Sequence, residues 1–206
     1  MKFEVTGERV VPALMNPDDG MLKEHLARYQ FSARFAFGRV LDIACGAGYG
    51  LKIIRQQARQ PITELVGVDI DKETIDYAIG QYWEEQLDFF EGDILDLSLK
   101  DKVGTFDTIL CLETIEHVEN DQRAIKNLAA LLNPRGLAIV STPFGQGRGK
   151  PCCNPFHVHQ YLEDEFIEIL KPLGKLLMYY QRDVTIEKQK PGIKYYLMVA
   201  VCQKIF

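Results

Sequence analysis

The chain has 206 residues, 47% of them apolar and 26% charged, with a net charge of -5. That is one substantial core and too little for two comfortable domains, so residues 1–206 read as a single domain. The acidic balance lacks the basic footprint usual in nucleic-acid binders and argues against such a partner, and no apolar run approaches the ~20 residues of a membrane span. The first residues, MKFEVTGERVVP, carry no apolar signal segment. Five cysteines, an odd number without Cys-x-x-Cys spacing, form no disulfide framework. Reduced thiols and a cytoplasmic setting are expected.

In chain order, Pro12, Pro17 and Asp18-Asp19-Gly20 make an irregular start. Leu22, Leu26, Tyr29 and Ala33 then recur at helical spacing and predict a helix over 21–37. Residues 1–37 therefore form an N-terminal cap and helix. Beyond it, strands are predicted over 40–44, 65–70, 87–90, 106–112 and 137–141. Helices over 49–59, 72–82 and 121–132 lie between them, the last closed by Asn133-Pro134-Arg135-Gly136. This alternation predicts an α/β fold, a three-layer Rossmann-like, mostly parallel sheet with helices on both faces. A Gly/Pro-rich loop over 143–160 reads as a lid over an acceptor site. A helix over 161–170 follows. Two β-rich runs, 175–184 and 195–203, read as a C-terminal antiparallel hairpin with Pro191-Gly192 between them.

VLDIACGAGYG, Val40 to Gly50, runs from a strand through glycines into a helix. Glycines there let backbone turn sharply and approach a ligand, and a helix start offers free amide donors. A nicotinamide dinucleotide would also suit a glycine loop after a strand. Four features together favour S-adenosylmethionine (SAM) instead. Gly50 stands four residues after Gly46, whereas the dinucleotide fingerprint places its third glycine five positions on. Asp42, inside the strand, can accept bonds around the loop or meet a cationic amino group, which a pyrophosphate site would not use. Asp93, in EGDI after the third strand, is placed to accept from an adenine amino group, with Ile70 and Ile94 on either face of the ring. Asp69, ending VGVD, can accept from both ribose hydroxyls, although NAD sites use the same device. Asp71 reads as a helix cap.

DIACGAG, VGVDID, EGDI and FDTILCLETIEHV, taken in this order, resemble the class I SAM-dependent methyltransferase family over Val40 to Gly136, roughly half the chain. The resemblance implies a seven-stranded sheet whose last strand is antiparallel, and SAM as the cofactor, with S-adenosylhomocysteine as product. It implies cofactor binding by Asp42, Ala44, Cys45, Gly46, Gly48, Asp69, Ile70, Asp93, Ile94 and Leu112. Cys45 takes a position where small residues vary.

On the acceptor side, Glu113, Glu116 and His117 share one face of any helical turn starting at Glu113. His117 is the candidate catalytic base. The same side chains, joined by His157, could instead hold a divalent metal, and His117 could equally be a hydrogen-bonded structural residue. Glu-x-x-Glu-His followed by a later histidine is similar to metal-dependent small-RNA 2′-O-methyltransferases and to ubiquinone-pathway O-methyltransferases. TGERVVP, EHLARY and NPFHVHQY look more like bacterial methyltransferases of glycan synthesis. The expected partner is thus a small-molecule or glycan-type acceptor, with a metal-dependent RNA-end enzyme and a non-catalytic SAM or dinucleotide module as the alternatives. Within the glycan-type reading, Arg9 and the first helix would cap the cofactor, while Arg28 and Tyr29 are expected to pack on the sheet. Cys152 and Cys153 read as lid sequence. Arg148 and Lys150 read as a solvated loop face rather than as contacts to an anionic acceptor.

Overall fold

The computed structural model describes residues 9–152 and 154–205. Its sheet has eight strands: β1 (Gly38–Ile43), β2 (Ile62–Asp69), β3 (Leu87–Glu91), β4 (Phe106–Leu112), β5 (Leu132–Pro143), β6 (Lys175–Arg182), β7 (Thr185–Glu187) and β8 (Leu197–Gln203). Their spatial order is β3-β2-β1-β4-β5-β8-β6-β7. β1 to β5 run parallel, and β8 inserts antiparallel between β5 and β6. The expected seven strands become eight because Thr185–Glu187, inside the polar stretch after β6, folds back to pair with it. Three residues of mixed polarity carry no strand signal of their own.

The helices are α1 (Gly20–Ala33), α2 (Tyr49–Gln57), α3 (Lys72–Tyr82), α4 (Leu99–Val103), α5 (Asp121–Leu131) and α6 (Glu163–Leu170). α1 stops at Ala33, short of the expected Phe37. Gly38 enters β1 with φ 64°, and Thr108 Oγ1 bonds both the N–H and the carbonyl of Phe37, so this stretch is committed to the sheet. α6 starts two residues later than expected because Tyr161 bridges to Phe144. The Leu162 N–H then donates to Glu165 Oε2 at 2.9 Å, closing the first turn. α4 was not anticipated; one turn of mixed charge gives no periodicity to read.

Side chains alternate faces along a strand. Leu41, Ile43, Val66, Val68, Ile109 and Val140 therefore pack against α4, α5 and α6, and Val40, Leu65, Leu110 and Ile139 against α1, α2 and α3. Burial of both faces makes each central strand a continuous apolar run. No helix among the described residues is long and apolar enough to cross a membrane. The strand order reverses between β1 and β4, and a crevice opens at the carboxyl ends of such strands.

Candidate active site

Two cavities occupy that crevice. The first, about 480 Å³, is lined by the loop from Ala44 to Ala47 and by Tyr49, Asp69, Ile70, Leu112, Glu113, Glu116 and His117. His25 and Tyr29 of α1 close one side and Phe156 and His157 another. The second, about 390 Å³, is lined by Asp93, Ile94 and Leu95 and shares Ala44, Ile70, Glu113 and His117 with the first. The shared residues make them one bent cleft.

The glycine loop is held open by backbone requirements. Ala44, Gly46 and Gly48 have φ of 58°, 52° and 84°. A Cβ on Gly46 would meet nothing within 4 Å, because that position faces the cleft. A Cβ on Gly48 would strike Phe89 at 2.7 Å and Ala78 at 2.8 Å, and one on Gly50 would strike the Tyr29 ring at 2.1 Å. Those two glycines let the loop and α2 sit close to α3, β3 and α1.

The acids at the strand ends are already placed by backbone donors. Asp69 accepts from the Gly46 N–H at 2.9 Å and the Asp71 N–H at 3.0 Å. Asp93 accepts from the Leu95 N–H at 2.8 Å. Asp42 lies beneath the loop, buried, and accepts from the Tyr29 hydroxyl at 2.9 Å. Burial pushes the Asp42 carboxyl up to about 7; the Tyr29 bond opposes that rise and the Asp69 charge adds to it.

On the other wall, Glu113 takes a φ of 50°, rare for a residue with a Cβ. Its N–H donates to the Ser141 carbonyl at 3.2 Å, and Ser141 Oγ donates to its carboxylate at 2.8 Å. Burial raises the Glu113 carboxyl, against the Arg28 charge nearby. Glu116 accepts from Thr142 Oγ1 at 3.0 Å, while its buried Oε1 has no partner among the described residues. Burial, and the Glu113 charge beside it, hold the Glu116 carboxyl well above the usual range.

His117 stands on the one-turn helix Ile115–His117, with Nδ1 at 2.9 Å from the Phe156 carbonyl. A carbonyl oxygen only accepts, so Nδ1 carries the proton and Nε2 carries the lone pair. No described residue bonds Nε2. The His157 ring crosses that of His117 edge-on at 4.8 Å, and candidate ligand atoms of Glu116, His117 and His157 all lie within 4.8 Å of one another. Asn154 is oriented by the Phe156 N–H on its oxygen, so its amide nitrogen donates to His157 Nε2 at 3.0 Å. His25 faces this group from α1. Burial and the Arg28 charge push its imidazole down to about 3, so it stays neutral.

Residues 41–140 match the model of a methyltransferase domain. A probable SAM-dependent methyltransferase of Mycolicibacterium smegmatis is 31% identical over 175 residues, covering 82% of this chain and 64% of that one. A ubiquinone biosynthesis O-methyltransferase of Coxiella burnetii is 35% identical over 104 residues, 50% of this chain and 42% of that one. The chain therefore spans somewhat under two thirds of the length of the curated relatives it matches. In fold it is similar to the N-methyltransferase NodS of Bradyrhizobium japonicum bound to S-adenosylhomocysteine, with a TM-score of 0.60 at 20% identity over 92% of this chain and 88% of that one.

Residues 41–140 are a methyltransferase domain of the class I SAM-dependent family. The family's cofactor is SAM, and the residues assigned to it from sequence fall into two groups in this chain. Ala44, Cys45, Gly46, Asp69, Ile70, Asp93, Ile94 and Leu112 line the cleft. Asp42 and Gly48 stand behind its wall, one through Tyr29 and one through packing. Arg28 packs as expected, buried, with its guanidinium donating to Gln181 at 2.9 Å, whereas Tyr29 lines the cleft. Arg9 lines the cleft too, paired to Asp71 at 2.6 Å, and Asp71 caps α3 through the Glu73 N–H. Arg148 is exposed on the loop, as expected, but its guanidinium is held by buried Asp121. Sequence reasoning missed Tyr49, Phe156 and His25. For His25 a signal existed: it precedes Tyr29 by four residues and so shares its helix face. Cys153 lies outside the described residues.

Proposed function

We propose that this methyltransferase moves the methyl group of SAM to a hydroxyl of a small-molecule or sugar-type acceptor. The observation that carries this reading is the state of His117, whose Nε2 lone pair is unbonded within the cleft while Nδ1 is pinned by the Phe156 carbonyl. The residues also fit the cofactor. Ile70 is 68% exposed inside the crevice, an apolar surface awaiting a flat partner, and Ile94 lines the same cavity. Asp93 beside them suits an adenine amino group, and Asp69 at the end of β2 suits a ribose. The loop from Ala44 to Ala47, above Asp42 and Tyr29, suits the amino-acid end.

When bound, SAM supplies a methyl group on a positively charged sulfur, so the leaving thioether is neutral. The protein's work is then alignment and exclusion of water. His117 takes the hydroxyl proton at Nε2 as the acceptor oxygen bonds to carbon. His25, neutral and opposite, offers a hydrogen bond to hold the acceptor. Phe156 covers the opening. The net charge of -5 speaks for a small acceptor and against an RNA end.

A second reading is favoured by the unpartnered Glu116 Oε1. Glu116 and His117 offer two free donor atoms, and a divalent cation there would acidify a bound hydroxyl. The His157 lone pair is occupied by Asn154, so a third ligand requires that amide to turn.

The test begins with calorimetric titration of SAM and, separately, NAD. Tight SAM binding without NAD binding, weakened roughly 10–100-fold in Asp69→Ala by loss of charge-assisted hydrogen bonds, supports the reading. A preference for NAD overturns it. A panel of phenols and sugars, run with and without EDTA, then separates base from cation: activity abolished by chelator and restored by Mg²⁺ or Mn²⁺ selects the cation.

A further inference from the structure

The segment from Phe144 to Tyr161 brings Phe156 and His157 to the cleft, and its fastenings converge on one buried carboxylate. Asp121, at the first position of α5, is 2% exposed. It takes both terminal nitrogens of Arg148, near the start of the segment, and the Tyr161 hydroxyl at 2.7 Å, at its end. His159 Nε2 lies 3.8 Å away and donates to the Glu119 carbonyl at 3.0 Å. Gln160 closes the segment on itself, accepting from the Gln146 N–H and donating to the carbonyls of Lys150 and Pro151. The far part is thereby laid on the turn carrying His117. The Val158 and His159 N–H groups both donate to the Glu116 carbonyl, at 2.9 and 3.0 Å, and the Phe156 carbonyl meets His117 Nδ1.

We propose that Asp121 is a positioning residue for methyl transfer: it latches both ends of the 144–161 segment, and through the segment it fixes the tautomer of His117. The inference rests on the reading of His117 as the base. A carboxylate buried between a guanidinium and a phenol binds both more tightly than solvent would, and two latched ends leave the intervening chain few ways to lift. With the segment in place, the Phe156 carbonyl accepts only from Nδ1–H and keeps the lone pair on Nε2, facing the cleft. With the latch open, that carbonyl leaves and the proton distributes between the two nitrogens. In a free histidine side chain the Nε2–H form is the favoured one, the wrong form for this base.

The experiment uses the full chain with ring-¹⁵N histidine, of which it has four, at pH 8.5 where an ordinary imidazole is neutral. His117 is assigned by loss of its signals in His117→Gln. The wild type should show Nδ1 protonated and Nε2 bare. In Asp121→Asn the His117 signals should move toward a mixture of tautomers. Amide exchange at Val158 and His159 should quicken at least 10-fold, with exchange in β1 and β4 and the affinity for SAM unchanged. Arg148→Gln and Tyr161→Phe, which each open one end, should shift the same signals part-way and serve if Asp121→Asn does not fold. A wild-type His117 protonated on Nε2 sinks the base reading itself. A wild-type Nδ1–H form that persists in all three variants overturns the latch. So does uniform loosening of the whole molecule, which marks Asp121 as merely structural.

Discussion

Single side chains in this protein are set by what their neighbours leave unsatisfied. His117 has one nitrogen used and one free, and general-base catalysis contributes about 10²–10⁴-fold. His117→Gln should therefore lower kcat at least about 100-fold while SAM affinity, measured by calorimetry, stays within twofold. An unchanged kcat would leave the imidazole a structural role. His25→Leu should raise KM for the acceptor with little effect on SAM affinity; an equal loss of both would place His25 with the cofactor instead. Asp42 makes a prediction about pH. Its folded carboxyl keeps its proton to about pH 7, against 3.8 in a free side chain. The folded state thus holds a proton that the unfolded state gives up, so this group's stabilisation is full below pH 3.8 and is lost as pH rises through 7. At 1.36 kcal/mol per unit the change is at most about 4 kcal/mol. The stability of the apo wild type in urea, relative to Asp42→Asn, should fall by up to that amount between pH 4 and 8. A difference that stays flat would mean that Asp42 is ionised throughout.

At the scale of elements, the strand–glycine–helix unit works because α1, α3 and β3 come close to it. Gly50 shows this: it lies in the first turn of α2 but is demanded by the Tyr29 ring of α1. Gly50→Ala must push Tyr29 off Asp42 or part the helices, and overpacking of this kind costs about 1–3 kcal/mol. Thermal unfolding should fall accordingly, with SAM binding weakened as well; a variant with wild-type melting and binding would show that Tyr29 has room to move. The core elements were legible because their signals are local: 72–82 and 106–112 have the bounds read from sequence, and the other central strands and helices differ by a few residues at their ends. What escaped was decided elsewhere. α1 ends where Thr108, more than seventy residues on, captures Phe37. α6 starts late because Tyr161 serves Asp121. β7 exists only because β6 offers it an edge.

For the molecule as a whole, a ligand that binds only the folded state stabilises it by about 2.7 kcal/mol at one hundred times its Kd. For a chain of 206 residues, where each kcal/mol moves the midpoint about 2–4 °C, saturating SAM should raise Tm by roughly 5–10 °C. NAD at the same concentration should not. Equal shifts from both would indicate a general nucleotide site and contradict the fit of Asp42 and Asp93 to SAM. The sequence by itself determined the alternating α/β order, the glycine loop and the acids at three strand ends, because each is a short-range pattern of polarity or backbone freedom. It also marked Glu113, Glu116, His117 and His157 as candidates. Only the tertiary structure decided which nitrogen of His117 faces the cleft, that Asp42 is paired with Tyr29, that His25 lines the cleft, and that Asp121 holds Arg148 and Tyr161. Those outcomes depend on contacts between segments far apart in the chain, where hydrogen-bond geometry and burial, not local pattern, choose the partner.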